Sequence, residues 1–104
     1  MELLHVGVPA AAEQPGEKYK DGLKVYLTNP DSNPYHFEYF RYMPGTTMPE
    51  LIQHSIHVAY KVDSLKDALA ACDQVLVENM RGTGRTIGFG VKDGVVLELM
   101  EYDK

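Results

Sequence analysis

The sequence predicts an α+β fold built from two strand-rich halves, of which the first is a shortened version of the second. Three observations support this prediction. The second half shows hydrophobic patterns in the order strand, helix, strand, strand, strand. The first half begins and ends with similar strands but has a reduced middle. Each half carries a His in its first strand and a Glu in its last strand.

The first half is predicted to contain three strands joined by irregular segments. Pro9 stops the first of them, and the Pro15-Gly16 pair prevents a long helix from following. β-branched and aromatic residues mark the second and third strands. A turn cluster rich in Asn, Pro and Asp separates these two. The predicted strands are residues 3–8, 23–28 and 36–42.

The second half is predicted to contain four strands and one helix. The helix begins near Ser64, whose pairing with Asp67 resembles a capping box, and it ends near Asp73. Its apolar residues fall on one face at helical spacing. The pair Asp93-Gly94 between two apolar runs is a strong hairpin signal. The predicted strands are residues 56–62, 75–79, 86–91 and 95–102.

Length and composition favour one globular domain. The chain has 104 residues, of which 44% are hydrophobic and 24% are charged, and these values exclude disordered, collagenous and membrane-spanning proteins. We expect a first module at residues 1–45, a linker at 44–53 and a second module at 54–104. The net charge of −5 argues against nucleic acid as a partner. The lone Cys72 and the lack of an apolar signal segment favour the cytoplasm.

The repeated His and Glu are the main candidate site. Strand alternation places His5 on one face with Gly7, and His57 on one face with Ala59. These small neighbours leave room beside each imidazole. If the halves pair about a pseudo-twofold axis, two imidazoles and two carboxylates converge, and such a set suits a divalent transition metal. Taken singly, a strand His is usually structural and a strand Glu is usually solvated.

Three segments resemble the vicinal oxygen chelate superfamily, also called the glyoxalase/bleomycin-resistance/dioxygenase fold. The opening MELLH is similar to the start of bacterial glyoxalase I enzymes. Residues 56–69, IHVAYKVDSLKDAL, resemble the start of the family's second module. Residues 93–100, DGVVLELM, resemble its final hairpin and ligand strand. The resemblance implies paired βαβββ modules that form a cupped mixed sheet, with the first module shortened here.

The resemblance also implies a site and a chemistry. Its metal ligands would be His5, Glu38, His57 and Glu98, holding Zn, Ni, Co, Mn or Fe. A carboxylate at Glu38 favours the lyase or isomerase branch, because extradiol dioxygenases use two His and one Glu. The implied reaction is proton transfer on a small vicinal-oxygen carbonyl substrate through a metal-stabilised enediolate, with Glu38 or Glu98 as the catalytic base. The alternative is a non-catalytic small-molecule-binding protein on the same fold.

Other polar residues are weaker candidates. Arg41 and Lys61 can reach an anionic substrate, but both residue types are more often solvated. His36 is a fallback ligand because it shares a strand face with Glu38, and His54 is expected to be exposed. We also expect a homodimer, since a shortened first module leaves apolar sheet surface uncovered. Neither a membrane nor a nucleic acid is expected as a partner.

Overall fold

A computed structural model describes all of residues 1–104. The strands form one mixed eight-stranded sheet in the order β2-β3-β4-β1-β5-β8-β7-β6, and two short α-helices and one 3-10 helix, Pro30–Ser32, accompany it. The fold is therefore α+β, and the sheet makes up most of it. The strands are β1 (Glu2–Pro9), β2 (Lys18–Lys20), β3 (Val25–Leu27), β4 (Phe37–Tyr42), β5 (His57–Lys61), β6 (Gln74–Gly82), β7 (Arg85–Lys92) and β8 (Val95–Tyr102), and the helices are α1 (Glu50–His54) and α2 (Leu65–Ala70).

The chain divides into two compact units. The N-terminal unit comprises residues 5–56, and the C-terminal unit comprises residues 57–104 together with residues 1–4. The first boundary between the units falls inside β1, between Leu4 and His5, and the second falls immediately before β5. No helix in either unit is long and apolar enough to cross a membrane.

In the N-terminal unit, β1 runs parallel to β4, β3 runs antiparallel to β4, and β2 runs antiparallel to β3. The segment between β1 and β2 contains no helix, as the Pro15-Gly16 pair predicts. The edge strand β2 was not predicted. Its three residues, Lys-Tyr-Lys, are all exposed, so the strand is too short and too polar to give a clear strand signal. Charged residues of this kind are typical of edge strands.

The segment expected to be a linker, residues 44–53, contains most of helix α1. This helix follows Pro49, and its side chain Ile52 is completely buried. With only five residues, the helix is too short to show a helical period in the sequence. The predicted strand at 36–42 begins one residue later, because His36 has a positive φ of 55° that extended backbone does not allow.

In the C-terminal unit, the elements follow the predicted order of strand, helix and three strands. β5 runs parallel to β8, while β7 pairs antiparallel with both β8 and β6. Ser64 caps α2 by accepting a hydrogen bond from the Asp67 backbone N–H at 3.2 Å. The Leu65 N–H instead donates to the Glu101 carboxylate at 2.8 Å. The helix proper ends at Ala70 rather than near Asp73.

The core of the C-terminal unit lies between α2 and the sheet. Two glycines of β7 let the helix approach the sheet closely. A Cβ on Gly88 would lie 3.0 Å from a methyl carbon of Leu65 and of Leu69, and a Cβ on Gly90 would lie 2.6 Å from the Cys72 sulfur. The buried residues of this core are Val62, Leu65, Leu69 and Leu99, with Tyr60, Ala68, Cys72 and Leu97 packed around them.

Candidate metal centre

In the N-terminal unit, β1 and β4 bring His5 and Glu38 together. The two strands are parallel, and Gly7 lies directly opposite Glu38 in the register. Because side chains alternate along a strand, His5 and Gly7 share a face, and Gly7 leaves the space beside the carboxylate open. The His5 Nε2 lies 3.4 Å from the Glu38 Oε1. Only 8% of the His5 side chain and 19% of the Glu38 side chain are exposed.

In the C-terminal unit, β5 and β8 bring His57 and Glu98 together in the same way. Ala59 lies directly opposite Glu98 in a parallel register. The His57 Nε2 lies 3.1 Å from the Glu98 Oε1, with 5% and 11% of the two side chains exposed. The imidazole also meets the Phe89 ring edge to face, with the ring centroids 5.7 Å apart, a geometry that favours a fixed imidazole orientation.

The two pairs share one local construction. In each unit the first and last strands run parallel, and a small residue, Gly7 or Ala59, faces the Glu across the ladder. The His lies two residues before that small residue, so its ring is on the same face as the carboxylate. The sequence repeat thus has a structural counterpart within each unit.

One potential ligand atom from each of the four residues lies within 4.8 Å of the other three. Two donors that share an ion at metal–ligand distances of about 2.0–2.2 Å are at most about 4.4 Å apart, so the donor spacing fits one cation after small side-chain adjustments. Two imidazole nitrogens and two carboxylate oxygens are also a donor set that divalent transition metals accept. The group of His5, Glu38, His57 and Glu98 can therefore hold a metal ion, and its catalytic role stays a prediction.

The structure places the weaker histidine candidates elsewhere. His36 precedes β4 in an exposed position, with its Nδ1 3.5 Å from the Asp31 carboxylate. His54 ends helix α1 and is also exposed. Neither belongs to the four-residue group.

Arg41 is engaged by a partner that the sequence did not indicate. Its guanidinium donates two hydrogen bonds to the Glu17 carboxylate, at 2.8 and 3.1 Å, and lies 4.4 Å from the centroid of the Tyr26 ring. These hydrogen bonds lower the pKa of Glu17 below its usual value of 4.5. A contact between residues 24 positions apart leaves no local pattern. Arg41 thus serves a structural ion pair within the N-terminal unit.

Comparison with known proteins identifies a fold. No protein-family model and no curated protein matches the sequence. The chain is similar in structure to a crystallised hypothetical protein from Bacillus halodurans C-125, with a TM-score of 0.62 and 14% sequence identity. The match covers 99% of this chain and 95% of that one. At this identity the similarity is one of fold.

Proposed function

We propose that this protein is a metal-dependent lyase or isomerase of the vicinal oxygen chelate superfamily that acts on a small carbonyl compound with adjacent oxygens. The observation that carries the proposal is the group of two His and two Glu with donor atoms within 4.8 Å. The strand order of the C-terminal unit and the parallel first and last strands of both units support a fold of paired βαβββ modules with a shortened first module.

Under this proposal the two His residues bind the metal and one Glu transfers a proton. His5 and His57 would hold the cation through their Nε2 atoms, which face the carboxylates. The bound cation would supply Lewis acidity that polarises two adjacent substrate oxygens. A carboxylate would then move the proton at the carbon next to the carbonyl. Glu38 is favoured for this step over Glu98, because a larger fraction of its side chain is exposed.

The alternative is a non-catalytic protein that binds a small molecule on the same fold. Imidazole–carboxylate distances of 3.1 and 3.4 Å also suit plain hydrogen-bonded ion pairs with a structural role. Because no helix lies between β1 and β2, fewer residues of the N-terminal unit are available to enclose a substrate. Metal binding without turnover would favour this alternative.

Isothermal titration calorimetry with Ni²⁺, Co²⁺ and Zn²⁺ tests the metal site. The wild type is expected to bind about one ion per chain, His57→Ala to lose binding, and His54→Ala to stay nearly unchanged. His54 is the matched control because it is an exposed His outside the group. Equal losses in both variants would mean that surface histidines bind the metal. Circular dichroism, together with a milder His57→Gln variant, separates loss of a ligand from loss of the fold.

Proton exchange tests the catalytic role. Metal-loaded protein is expected to speed deuterium incorporation next to the carbonyl of a small hydroxycarbonyl probe such as dihydroxyacetone in D₂O, followed by NMR. Glu38→Gln should reduce the exchange rate by at least ~100-fold if Glu38 is the base. Exchange at the rate of metal-free protein would favour the binding alternative.

A further inference from the structure

Two basic side chains in the C-terminal unit lie around one aromatic ring. The Lys61 Nζ is 5.0 Å from the centroid of the Tyr102 ring, and the Arg85 Cζ is 5.9 Å from the same centroid. Both distances are within the range of cation–π attraction. Lys61 ends β5, Tyr102 ends β8, and Arg85 begins β7, so these side chains lie at the same end of three neighbouring strands.

These side chains are on the same sheet face as His57 and Glu98. His57 and Lys61 are four residues apart on β5, so strand alternation puts them on one face. Glu98 and Tyr102 are likewise four residues apart on β8. Arg85 lies directly opposite Tyr102 in the antiparallel register. Along each strand, four residues at about 3.3 Å per residue separate the backbone of the His or Glu from that of Lys61 or Tyr102 by about 13 Å.

Neither cation has a carboxylate partner, although the chain has fifteen acidic residues against ten basic ones. The other basic residues of β6 and β7 are paired: Arg81 with Asp103, and Lys92 with Asp73. No ion pair of this kind involves Lys61 or Arg85. In an acidic chain, two cations that lie near one ring and have no carboxylate partner form a local positive site.

The Arg85 guanidinium also offers a donor that the protein does not use. Its Nε is buried and has no hydrogen-bond acceptor within the chain. Gly82 lies opposite Arg85 in the β6–β7 ladder, and a Cβ there would be 3.5 Å from that Nε. Because Gly82 has no side chain, there is room beside it for the Arg85 side chain. A buried donor without an acceptor costs free energy, and a rotation of the Arg85 side chain that turns this N–H toward a bound anion would recover it.

We propose that Lys61 and Arg85 bind an anionic group of a ligand, a carboxylate or a phosphate, beside the Tyr102 ring. Arginine matches both groups by paired hydrogen bonds, and lysine adds a point charge. This inference builds on the proposed function by naming a substrate class. The substrate is a carbonyl compound with an anionic group several bonds away from its adjacent oxygens.

NMR titration of ¹⁵N-labelled, metal-free, full-length protein tests the inference. Inorganic phosphate and acetate are the two probes, each titrated at constant ionic strength with NaCl. The Arg85 Nε–H signal and the amides of residues 61, 85 and 102 are expected to shift saturably. Stronger binding of phosphate or of acetate identifies the preferred anion. Linear shifts that do not saturate would overturn the inference.

Variants separate a built site from general charge. Lys61→Gln and Arg85→Gln should each weaken anion binding at least tenfold, while Arg85→Lys should retain part of it. Arg81→Gln is the matched control, because Arg81 lies on the same hairpin but pairs with Asp103 and hydrogen-bonds to Thr86. An equal loss in Arg81→Gln would overturn the inference.

A metal-site variant distinguishes this inference from the proposed function. His57→Ala should lose Ni²⁺ binding but keep phosphate binding at Arg85. Phosphate binding in a wild type that takes up none of Zn²⁺, Ni²⁺, Co²⁺, Mn²⁺ and Fe²⁺ would support the anion site and reject the metal-dependent function. Ni²⁺ binding with no saturable phosphate shift would reject the anion site alone.

Discussion

Replacing Gly90 with Ala tests the close packing of α2 on the sheet. The added Cβ would lie 2.6 Å from the Cys72 Sγ, 3.0 Å from the Cys72 Cβ and 3.1 Å from the Gln74 carbonyl oxygen. Favourable contacts between such heavy atoms occur at about 3.5–4.0 Å, so the sulfur is about 1 Å too close. Cys72, which lies two residues beyond the end of α2, must therefore move away from β7.

The expected cost follows from two opposing effects. Overpacking of this kind destabilises a protein by about 1–3 kcal/mol. A Gly→Ala change also removes freedom from the unfolded chain, which stabilises the native state by about 0.4–1 kcal/mol. We therefore expect Gly90→Ala to lower the free energy of unfolding by about 1–2 kcal/mol. For a domain of this size, that lowers the melting temperature by roughly 4–16 °C.

Gly22→Ala is the matched control for this substitution. A Cβ at Gly22 would meet no atom within 4 Å, and the φ of Gly22 lies outside the left-handed region. This variant should be as stable as the wild type or slightly more stable. Urea denaturation followed by circular dichroism measures both variants under identical conditions.

A double-mutant cycle identifies the clash. In Cys72→Ala/Gly90→Ala the closest contact is removed, so the double variant should be more stable than the sum of the single changes predicts, by about 1 kcal/mol. The relief is partial because the Cβ at position 72 remains. If Gly90→Ala matches Gly22→Ala in stability, or if the two single changes simply add, the packing argument is wrong.

Three further predictions concern single groups and the assembly. Arg41 lowers the pKa of Glu17 below 4.5, so the pair stabilises the native state above that pH and loses its effect as the pH falls through the folded pKa. Urea midpoints of wild type and Glu17→Gln should therefore differ near neutral pH and converge in acid; a constant difference would contradict this. Burial raises the pKa of the Cys72 thiol, so Ellman's reagent should react slowly with native protein and quickly in urea, and equal rates would refute burial. Exposed apolar side chains such as Leu3 and Ile56 favour the expected homodimer, and a monomeric mass by light scattering at micromolar concentration would count against it.

Local patterns explain which elements the sequence could predict. Residues 95–102 are a largely apolar run that follows the Asp93-Gly94 turn, and they form β8 with the predicted bounds. The start of α2 could be predicted from Ser64, because an N-cap is a hydrogen bond between residues close in sequence. β2 escaped prediction because its pairing with β3, rather than its own exposed residues, makes it a strand. The end of α2 was placed too late because the apolar spacing continues to Cys72 beyond the last helical residue.

The candidate site shows the same division between local and tertiary signals. His5 and His57 stood out because the same residue types recur at matching strand positions in two halves. The ion pair of Glu17 with Arg41 could not be predicted, because it joins an irregular segment to a distant strand. The position of Arg85 opposite Tyr102 likewise depends on the register of β7 against β8, which no single-sequence pattern shows.

Metal uptake by untagged protein tests the central claim most directly. Purified wild type, incubated with Zn²⁺, Ni²⁺, Co²⁺, Mn²⁺ or Fe²⁺ and then freed of unbound ions, is measured by elemental analysis beside a folded His5→Ala/His57→Ala variant. We predict about one equivalent of at least one of these metals per wild-type chain, and less than roughly a tenth of that in the variant, because the variant lacks both imidazole ligands. Equal uptake by the two proteins, or no stoichiometric uptake of any metal by the wild type, would contradict the claim that the two His and two Glu form a metal centre.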